Sequence, residues 1–403
     1  MTVDFIRELL ETEDVIYFPY CDWLFPNGLK INNVIFSIPW FNDTTLDIYW
    51  YGFLIALGML LAVIYASRRM RKFGLDSDRA IDVVLAGLVG AIIGARAYYV
   101  IFRLSAYLTD EGGLDIGAVL RIRDGGLAVY GGVIGALIFG GVTAMIRKVK
   151  ITPMLDLMGL GLLIGQCLGR WGNFFNQEAF GTKTSLPWAM ISNKILSGPN
   201  GLYFYYYPEN VSVITNRATD MAAHPCFLYE SLWCLIGFLV LHFYSKKFRK
   251  FDGEIFLLYI GWYGAGRFWI EALRTDSLFI PGTPLKVSQL VAGTCVIFSI
   301  VLLTVKYILI KKNGNTFYYE TEESKELLRL KDEKLQASRN RRGKNADAAV
   351  SEHILAEGVE DAETSEEPDG EPEESLPEEQ PEELSEEEDE AEDEEENGDG
   401  EAD

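Results

Sequence analysis

The sequence predicts an all-α polytopic membrane protein: about seven transmembrane helices, a small extracytoplasmic head domain and a disordered acidic C-terminal tail. Three observations carry that expectation. The chain contains about seven apolar runs of ~16–24 residues, near the ~20 that cross a hydrocarbon core. Short basic clusters follow alternate runs. The charge is also divided unevenly: of 403 residues with a formal net charge of −23, Asn345–Asp403 holds 29 Asp and Glu and no Lys or Arg. Residues 1–344 are left with 30 acids against 36 bases, a weakly basic, strongly apolar body.

Residues 1–47 carry acids and no continuous apolar stretch near the start, so they read as an extracytoplasmic or interfacial segment rather than a signal peptide. The apolar runs that follow are Ile48–Ala66, Ile81–Phe102, Leu127–Ile146, Pro153–Leu168, Phe227–Tyr244, Ile255–Ile270 and Val287–Ile310, which makes residues 48–312 the transmembrane domain. Arg68, Arg69, Arg71 and Lys72 follow the first run, and Arg147, Lys148 and Lys150 the third. Lys246, Lys247, Arg249 and Lys250 follow the fifth, and Lys311 and Lys312 the seventh. The positive-inside rule puts all four clusters in the cytoplasm, with the amino terminus outside and the carboxyl terminus inside. The longest outer stretch, about 171–224, is rich in aromatics such as Trp188 and Tyr203–Tyr207 and is expected to form a head on the outer headgroups. Residues 313–344 mix charges with Leu327, Leu328, Leu330 and Leu335 and suit a short amphipathic helix; residues 345–403 are disordered by composition. Cys21, Cys167, Cys226, Cys234 and Cys295 lack metal-ligand spacing and read as free thiols. No metal, nucleotide cofactor or nucleic-acid partner is expected.

An ionisable residue at membrane depth costs ~2.5–3.5 kcal/mol on insertion scales, so each one points to function. Tyr263, Arg267, Glu271 and Arg274, in the sixth run and its exit, fall within one ~80° stripe at helical spacing. Two arginines against one glutamate call for an anion; an Arg267–Glu271 pair that merely neutralises itself is the plainer reading. In GRWGNFFNQEAFG (residues 169–181), Arg170, Asn173 and Asn176 recur every three residues near the outer end of the fourth run, with Glu178 just beyond. Gly169, Gly172 and Gly181 permit close approach or turning, and an arginine snorkelling to headgroups is the alternative reading there. HPCFLYE sets His224, Tyr229 and Glu230 at the outer start of the fifth run. In GGLAVYGGVIGALIFGG, Tyr130 stands between paired glycines; the part from Gly135 suits close helix packing, and Gly125–Gly132 suits a re-entrant strand lining a cavity. Arg96 in GARAYYV and Tyr51 in YWYG face the same level, whereas Asp156, nearer the cytoplasm, is expected to serve packing. Two arginines from different helices suit a phosphate, which the guanidinium fork binds bidentately. In a membrane the abundant phosphate is a lipid headgroup.

Together these stretches resemble the prolipoprotein diacylglyceryl transferase family of bacteria, from about Phe36 to Lys311. GRWGNFFNQEAFG is similar to the family signature G-R-x-G-N-F-x-N-x-E-x-x-G at every fixed position; YWYG, GARAYYV, GGLAVYGG, HPCFLYE and YGAGRFWIEALRTD follow the family's order and spacing. The resemblance implies an enzyme of the bacterial cytoplasmic (inner) membrane. It would transfer the diacylglyceryl group of phosphatidylglycerol to the lipobox cysteine thiol of a preprolipoprotein, giving a thioether and glycerol 1-phosphate. It also implies that Arg170 and Arg267 are essential, and that Tyr51, Asn173, Asn176, Glu178, Gly181, His224, Tyr229, Glu230, Tyr263, Glu271 and Arg274 serve the site. On that reading the two arginines hold the lipid phosphate, with Glu271 and Asn173 orienting them.

Two positions depart from the family. Tyr130 stands where many members have a histidine, often proposed as the general base, and a tyrosine of pKa ≈ 10 is a poor base at neutral pH. Either His224 or Glu178 then takes the thiol proton, or solvent or phosphate does, and Tyr130 positions the headgroup. Phe227 stands where members have glutamine. The alternative function is a transporter or channel for an anionic lipid or solute. The sequence shows no inverted repeat or matched pair of broken helices to support it.

Overall fold

The computed structural model describes residues 15–21, 23–39, 45–108, 113–122, 125–197, 202 and 222–340. The chain divides into two units: residues 1–336, which hold every element below, and residues 337–403, of which 337–340 are described as helix. The acidic stretch 345–403 and the aromatics Tyr203–Tyr207 lie outside the described residues.

Two antiparallel hairpins come first. β1 (Val15–Ile16) pairs with β2 (Leu29–Lys30), and β3 (Val34–Pro39) with β4 (Thr45–Tyr49), where Phe36 faces Ile48 and Ser37 faces Asp47. β4 runs straight into α1 (Trp50–Met70). α2 (Ser77–Phe102) is capped by Asp76, whose carboxylate accepts from the Asp78 N–H at 3.0 Å. The short α3 (Ile116–Leu120) is capped in the same way by Asp115. α4 (Val129–Arg147), α5 (Ile151–Asn176), the short α6 (Asn193–Ser197), α7 (Cys226–Lys247), α8 (Glu254–Leu273) and α9 (Val287–Asn313) follow.

Among the described residues, six helices are long and apolar enough to cross a membrane: α1, α2, α4, α5, α7 and α9. The remaining expected run is helical as α8, but Glu254, Arg267 and Glu271 reduce its apolarity. α8 packs against α5, α7 and α9, and a helix walled by protein carries polar residues that a lipid-facing one does not. The fourth run also differs from expectation. α5 continues through Arg170, Gly172 and Asn173 to Asn176, so a head boundary at 171 falls inside a helix. The polar residues lower hydropathy without breaking the helix. The residues after α5 instead join the N-terminal hairpin in a small hydrophobic cluster, in which Ile16 and Ile31 meet Phe180, Met190, Ile191 and Ile195 above Phe174 of α5 and Phe227 of α7.

The GGLAVYGG stretch forms no strand. Only residues 125–128 precede α4, and Gly125 and Gly126 turn there at φ 85° and 77°. Gly131 and Gly135 of α4 lie instead against Gly90 and Gly94 of α2: a Cβ added at Gly135 would stand 2.0 Å from the Gly90 carbonyl oxygen, and one at Gly131 2.3 Å from that of Gly94. Small residues here let two backbones touch. Gly135→Ala is therefore expected to force the pair apart at a cost of about 1–3 kcal/mol, read as a lower melting temperature in detergent; an unchanged melting temperature would refute the contact.

The basic clusters after α1, α4 and α7 meet at one end of the bundle. Arg249 lies 4.1 Å over the Phe73 ring, which shares a buried cluster with Met70, Ala144 and Val149. Asp156 of α5, fully buried, accepts from the N–H groups of Gly253 (2.8 Å) and Phe256 (3.0 Å) and so caps the start of α8 from a neighbouring helix. It serves packing, as expected. Residues 318–332, beyond α9, fold across this end. Ser324 Oγ donates to the Gly74 carbonyl at 2.8 Å, and Lys331 pairs with Asp76 and Asp78.

Candidate active site

The signature residues collect at the opposite end. Near its C-terminus α5 presents Arg170, and the Tyr51 ring of α1 lies against Gly172, where an added Cβ would come within 2.4 Å of the ring. Past Asn176 the chain turns through two left-handed residues, Gln177 (φ 54°) and Ala179 (φ 57°). That turn folds Glu178 back, so its Oε1 accepts from the Asn173 amide at 2.9 Å and the Asn176 amide at 3.3 Å. Asn173 therefore holds Glu178 rather than either arginine, which corrects the expected pairing.

Gly181 then stitches α7 and α8 together. Its N–H donates to the His224 carbonyl at 2.9 Å, it bridges to Arg274, and the Thr182 N–H donates to Leu273 O at 2.7 Å. A Cβ at Gly181 would meet Cys226 Sγ and His224 Cβ at 2.8 Å each. This stitching brings Glu230, one turn into α7, against the end of α8. Glu230 is 4% exposed and is the hub of the site: Arg170 reaches it at 2.7 Å, Arg267 at 2.8 Å and Arg274 at 3.4 Å. Arg267 also pairs with Glu271 at 2.5 Å, and Arg274 with Asp276 at 2.5 Å. α8 ends at Leu273, so Arg274 leaves the predicted helical stripe yet still arrives at Glu230. Lys286 caps the same helix end, donating to the carbonyls of Glu271 (2.7 Å), Ala272 (3.3 Å) and Arg274 (2.8 Å).

Four cations (Arg170, Arg267, Arg274 and Lys286) thus surround three carboxylates (Glu230, Glu271 and Asp276), leaving one surplus positive charge. Burial pushes the Asp276 carboxyl up, but the bond from Arg274 outweighs it and holds Asp276 below the usual carboxylate range. Burial lowers the Lys286 ammonium from its ordinary value.

The matching model of known protein families, described as prolipoprotein diacylglyceryl transferase, covers residues 38–305. This chain belongs to the prolipoprotein diacylglyceryl transferase family. It is 38% identical over 262 residues to the phosphatidylglycerol–prolipoprotein diacylglyceryl transferase of Finegoldia magna, an overlap of 65% of this chain and 92% of that protein. It is 38% identical over 261 residues (65% and 89%) to the protein of that name from Geobacillus kaustophilus, and 37% identical over 275 residues (68% and 95%) to that of Clostridium novyi. The family match contains the whole arginine cluster and stops before the docked segment that follows α9.

The other residues expected from the family lie around or outside that cluster. Tyr51, Asn176 and Glu178 line a cavity of about 780 Å³ together with Asn33, Asp47 and Lys194. His224 Nδ1 is 3.0 Å from the Tyr229 hydroxyl, which accepts from the Trp188 indole N–H at 2.7 Å. Tyr229 donates to Nδ1 when the neutral imidazole is protonated on Nε2 and accepts from it in the other tautomer. Burial lowers the His224 pKa, so the ring is neutral at neutral pH. Tyr263 stacks on Tyr259, with ring centres 6.1 Å apart, one turn before Arg267. Tyr130 is 71% exposed in the first turn of α4. Arg96 is not brought to the cluster: all five of its N–H donors go to carbonyls, those of Val119, Gly125, Gly126, Ala118 and Arg121. Sequence reasoning missed Lys286 and Asp276. A lysine just before an apolar run looks like a solvated boundary, and Asp276 was visible only as the last letter of a motif.

Proposed function

We propose that the chain transfers the diacylglyceryl group of phosphatidylglycerol to the lipobox cysteine of preprolipoproteins. The single observation that supports this most is the convergence of Arg170, Arg267 and Arg274 on buried Glu230. The headgroup phosphate sits against Arg170 and Arg267 in exchange for part of their pairing with Glu230. The cysteine sulfur attacks the glycerol carbon that bears the phosphate, forming the thioether. The carbon–oxygen bond breaks, and its electron pair leaves with glycerol 1-phosphate. Charge that grows on the departing phosphate is stabilised by guanidiniums already in place.

The thiol must lose its proton to attack well. His224 is engaged with Tyr229 through Nδ1, and Tyr130 stands exposed. Glu178, held by Asn173 and Asn176 through one oxygen, keeps the other for the cavity, and it is the proton acceptor in this reading. Tyr51, Tyr229 and Tyr263 shape the headgroup site, and Gly181 fixes its floor.

In this reading α8 is the seventh span, and the chain lies in the bacterial cytoplasmic membrane. The basic end faces the cytoplasm, and the amino terminus and arginine cluster face outward. The hydrophobic cluster that joins Ile16 and Ile31 to Phe180, Met190, Ile191, Ile195, Ala222 and Ala223 forms the head over the outer leaflet, residues 48–312 form the transferase domain, and the carboxyl terminus is cytoplasmic. The test is an assay of purified protein in detergent with phosphatidylglycerol and a lipobox peptide. The expected outcome is release of glycerol 1-phosphate matched by a diacylglyceryl mass shift on the peptide. A folded protein that turns over neither phosphatidylglycerol nor any other phospholipid would sink the reading and restore the transporter.

A further inference from the structure

Among the described residues the three most buried arginines are Arg69 at 8% exposure, Arg96 at 8% and Arg274 at 9%. Two of them are fully accounted for. Arg274 faces Glu230 and Asp276, and Arg96 directs five N–H groups at five carbonyls. Arg69 is different. It sits in the last turn of α1 and meets no carboxylate among the described residues. Its Nη1 donates to the Tyr65 hydroxyl at 3.2 Å and lies 3.1 Å from His242 Nδ1, and its Nη2 donates to Ser245 Oγ at 3.1 Å. Its Nε is buried with no hydrogen-bond partner.

Every one of these partners is neutral. The Tyr65 hydroxyl stands 2.7 Å from His242 Nδ1, to which it donates while accepting from Arg69. That arrangement keeps the imidazole proton on Nε2 and the ring uncharged. Further positive charge is close by. Lys72 follows Arg69 by three residues, Lys246 follows His242 by four, and both act electrostatically on His242. A buried cation without a counter-charge is costly, and an idle buried N–H adds to the cost. An anion that fills the gap relieves both.

The position narrows the choice of anion. Tyr51, at the arginine-cluster end, and Arg69 are 18 residues apart on one helix, about 27 Å at 1.5 Å per residue. That is close to the ~30 Å thickness of a hydrocarbon core, so Arg69 lies at the headgroup level of the other leaflet. We propose that Arg69, Tyr65, His242 and Ser245 form a second phosphate-binding site, between the ends of α1 and α7, separate from the catalytic one. The phosphate belongs to an anionic phospholipid of that leaflet or is free in solution; the chemistry of recognition is the same. A phosphate bound here joins α1 to α7, both of which otherwise pack mainly on α5. This inference uses the membrane-spanning reading above but not the transferase chemistry.

The experiment is native mass spectrometry of the full chain, titrated with phosphatidylglycerol in detergent. Wild type is expected to retain two lipids, Arg69→Gln one, Arg267→Ala one, and the double variant none. In a parallel arm, inorganic phosphate at millimolar concentration is added and the melting temperature followed. A rise in wild type that is absent in Arg69→Gln, without loss of a retained lipid, assigns the site to free phosphate. If Arg69→Gln does not fold to a monodisperse protein, Lys72→Gln with Lys246→Gln serves instead, and each exposed lysine removed is expected to weaken retention about fivefold. Equal lipid counts and equal phosphate responses in wild type and variants would overturn the proposal. Because Arg267→Ala is measured alongside, loss of the catalytic site reads separately from loss of this one.

Discussion

Arg267→Ala is expected to lower turnover with phosphatidylglycerol by ~10²–10³-fold, the scale on which removing one preorganised charge donor slows a reaction that builds negative charge. Arg267 binds two carboxylates at once, Glu230 at 2.8 Å and Glu271 at 2.5 Å, and it comes from within a helix packed on both α5 and α7. Its guanidinium is therefore fixed in place before any lipid arrives. Lysine restores the charge but not the two-pronged grip, so Arg267→Lys is expected to recover only part of the loss. The comparison is made by following glycerol 1-phosphate release for the three proteins at matched folding. A rate within threefold of wild type in Arg267→Ala would remove the phosphate from this helix.

The second large effect is expected at Glu230. Glu230→Gln keeps the shape and removes the charge from a position only 4% exposed, leaving three arginines to face one another. Removing one member of a buried ion pair costs about 3–5 kcal/mol, so a clear fall in melting temperature is expected. The kinetic signature should be split. Arginines released from Glu230 bind an anionic headgroup more tightly and lower KM, while their lost alignment lowers kcat. A purely structural glutamate would lower stability and leave that ratio alone. Unchanged melting temperature and unchanged kinetics together would refute the hub.

Much of this was legible in the sequence, for a physical reason. Apolarity and helical period are local properties, so the spans and the Tyr263–Arg267–Glu271 stripe could be read from spacing alone. What could not be read were pairings between distant elements. Nothing near Glu230 in the chain announces that Arg170 and Arg267, sixty and thirty-seven residues away, both end on it. The extension of α5 to Asn176 was hidden because hydropathy falls where the helix persists. The pairing of Asn173 with Glu178 depends on left-handed residues at Gln177 and Ala179, where no glycine marks the turn. Arg96 looked like a site residue because it is an arginine inside a span; its five carbonyl partners come mostly from a loop whose path no periodicity describes.

A carboxylate shared by three guanidiniums is also an internal competitor. In the proposed reaction a phosphodiester arriving at the cluster displaces Glu230 instead of dropping into an empty positive hole, so the resting complex is held less tightly than bare arginines would hold it. The departing monoester carries more negative charge and gains more from the same arginines. That contrast directs binding energy toward the transition state and away from the bound lipid, and it denies a tight resting place to unreactive anions that drift past in the headgroup layer.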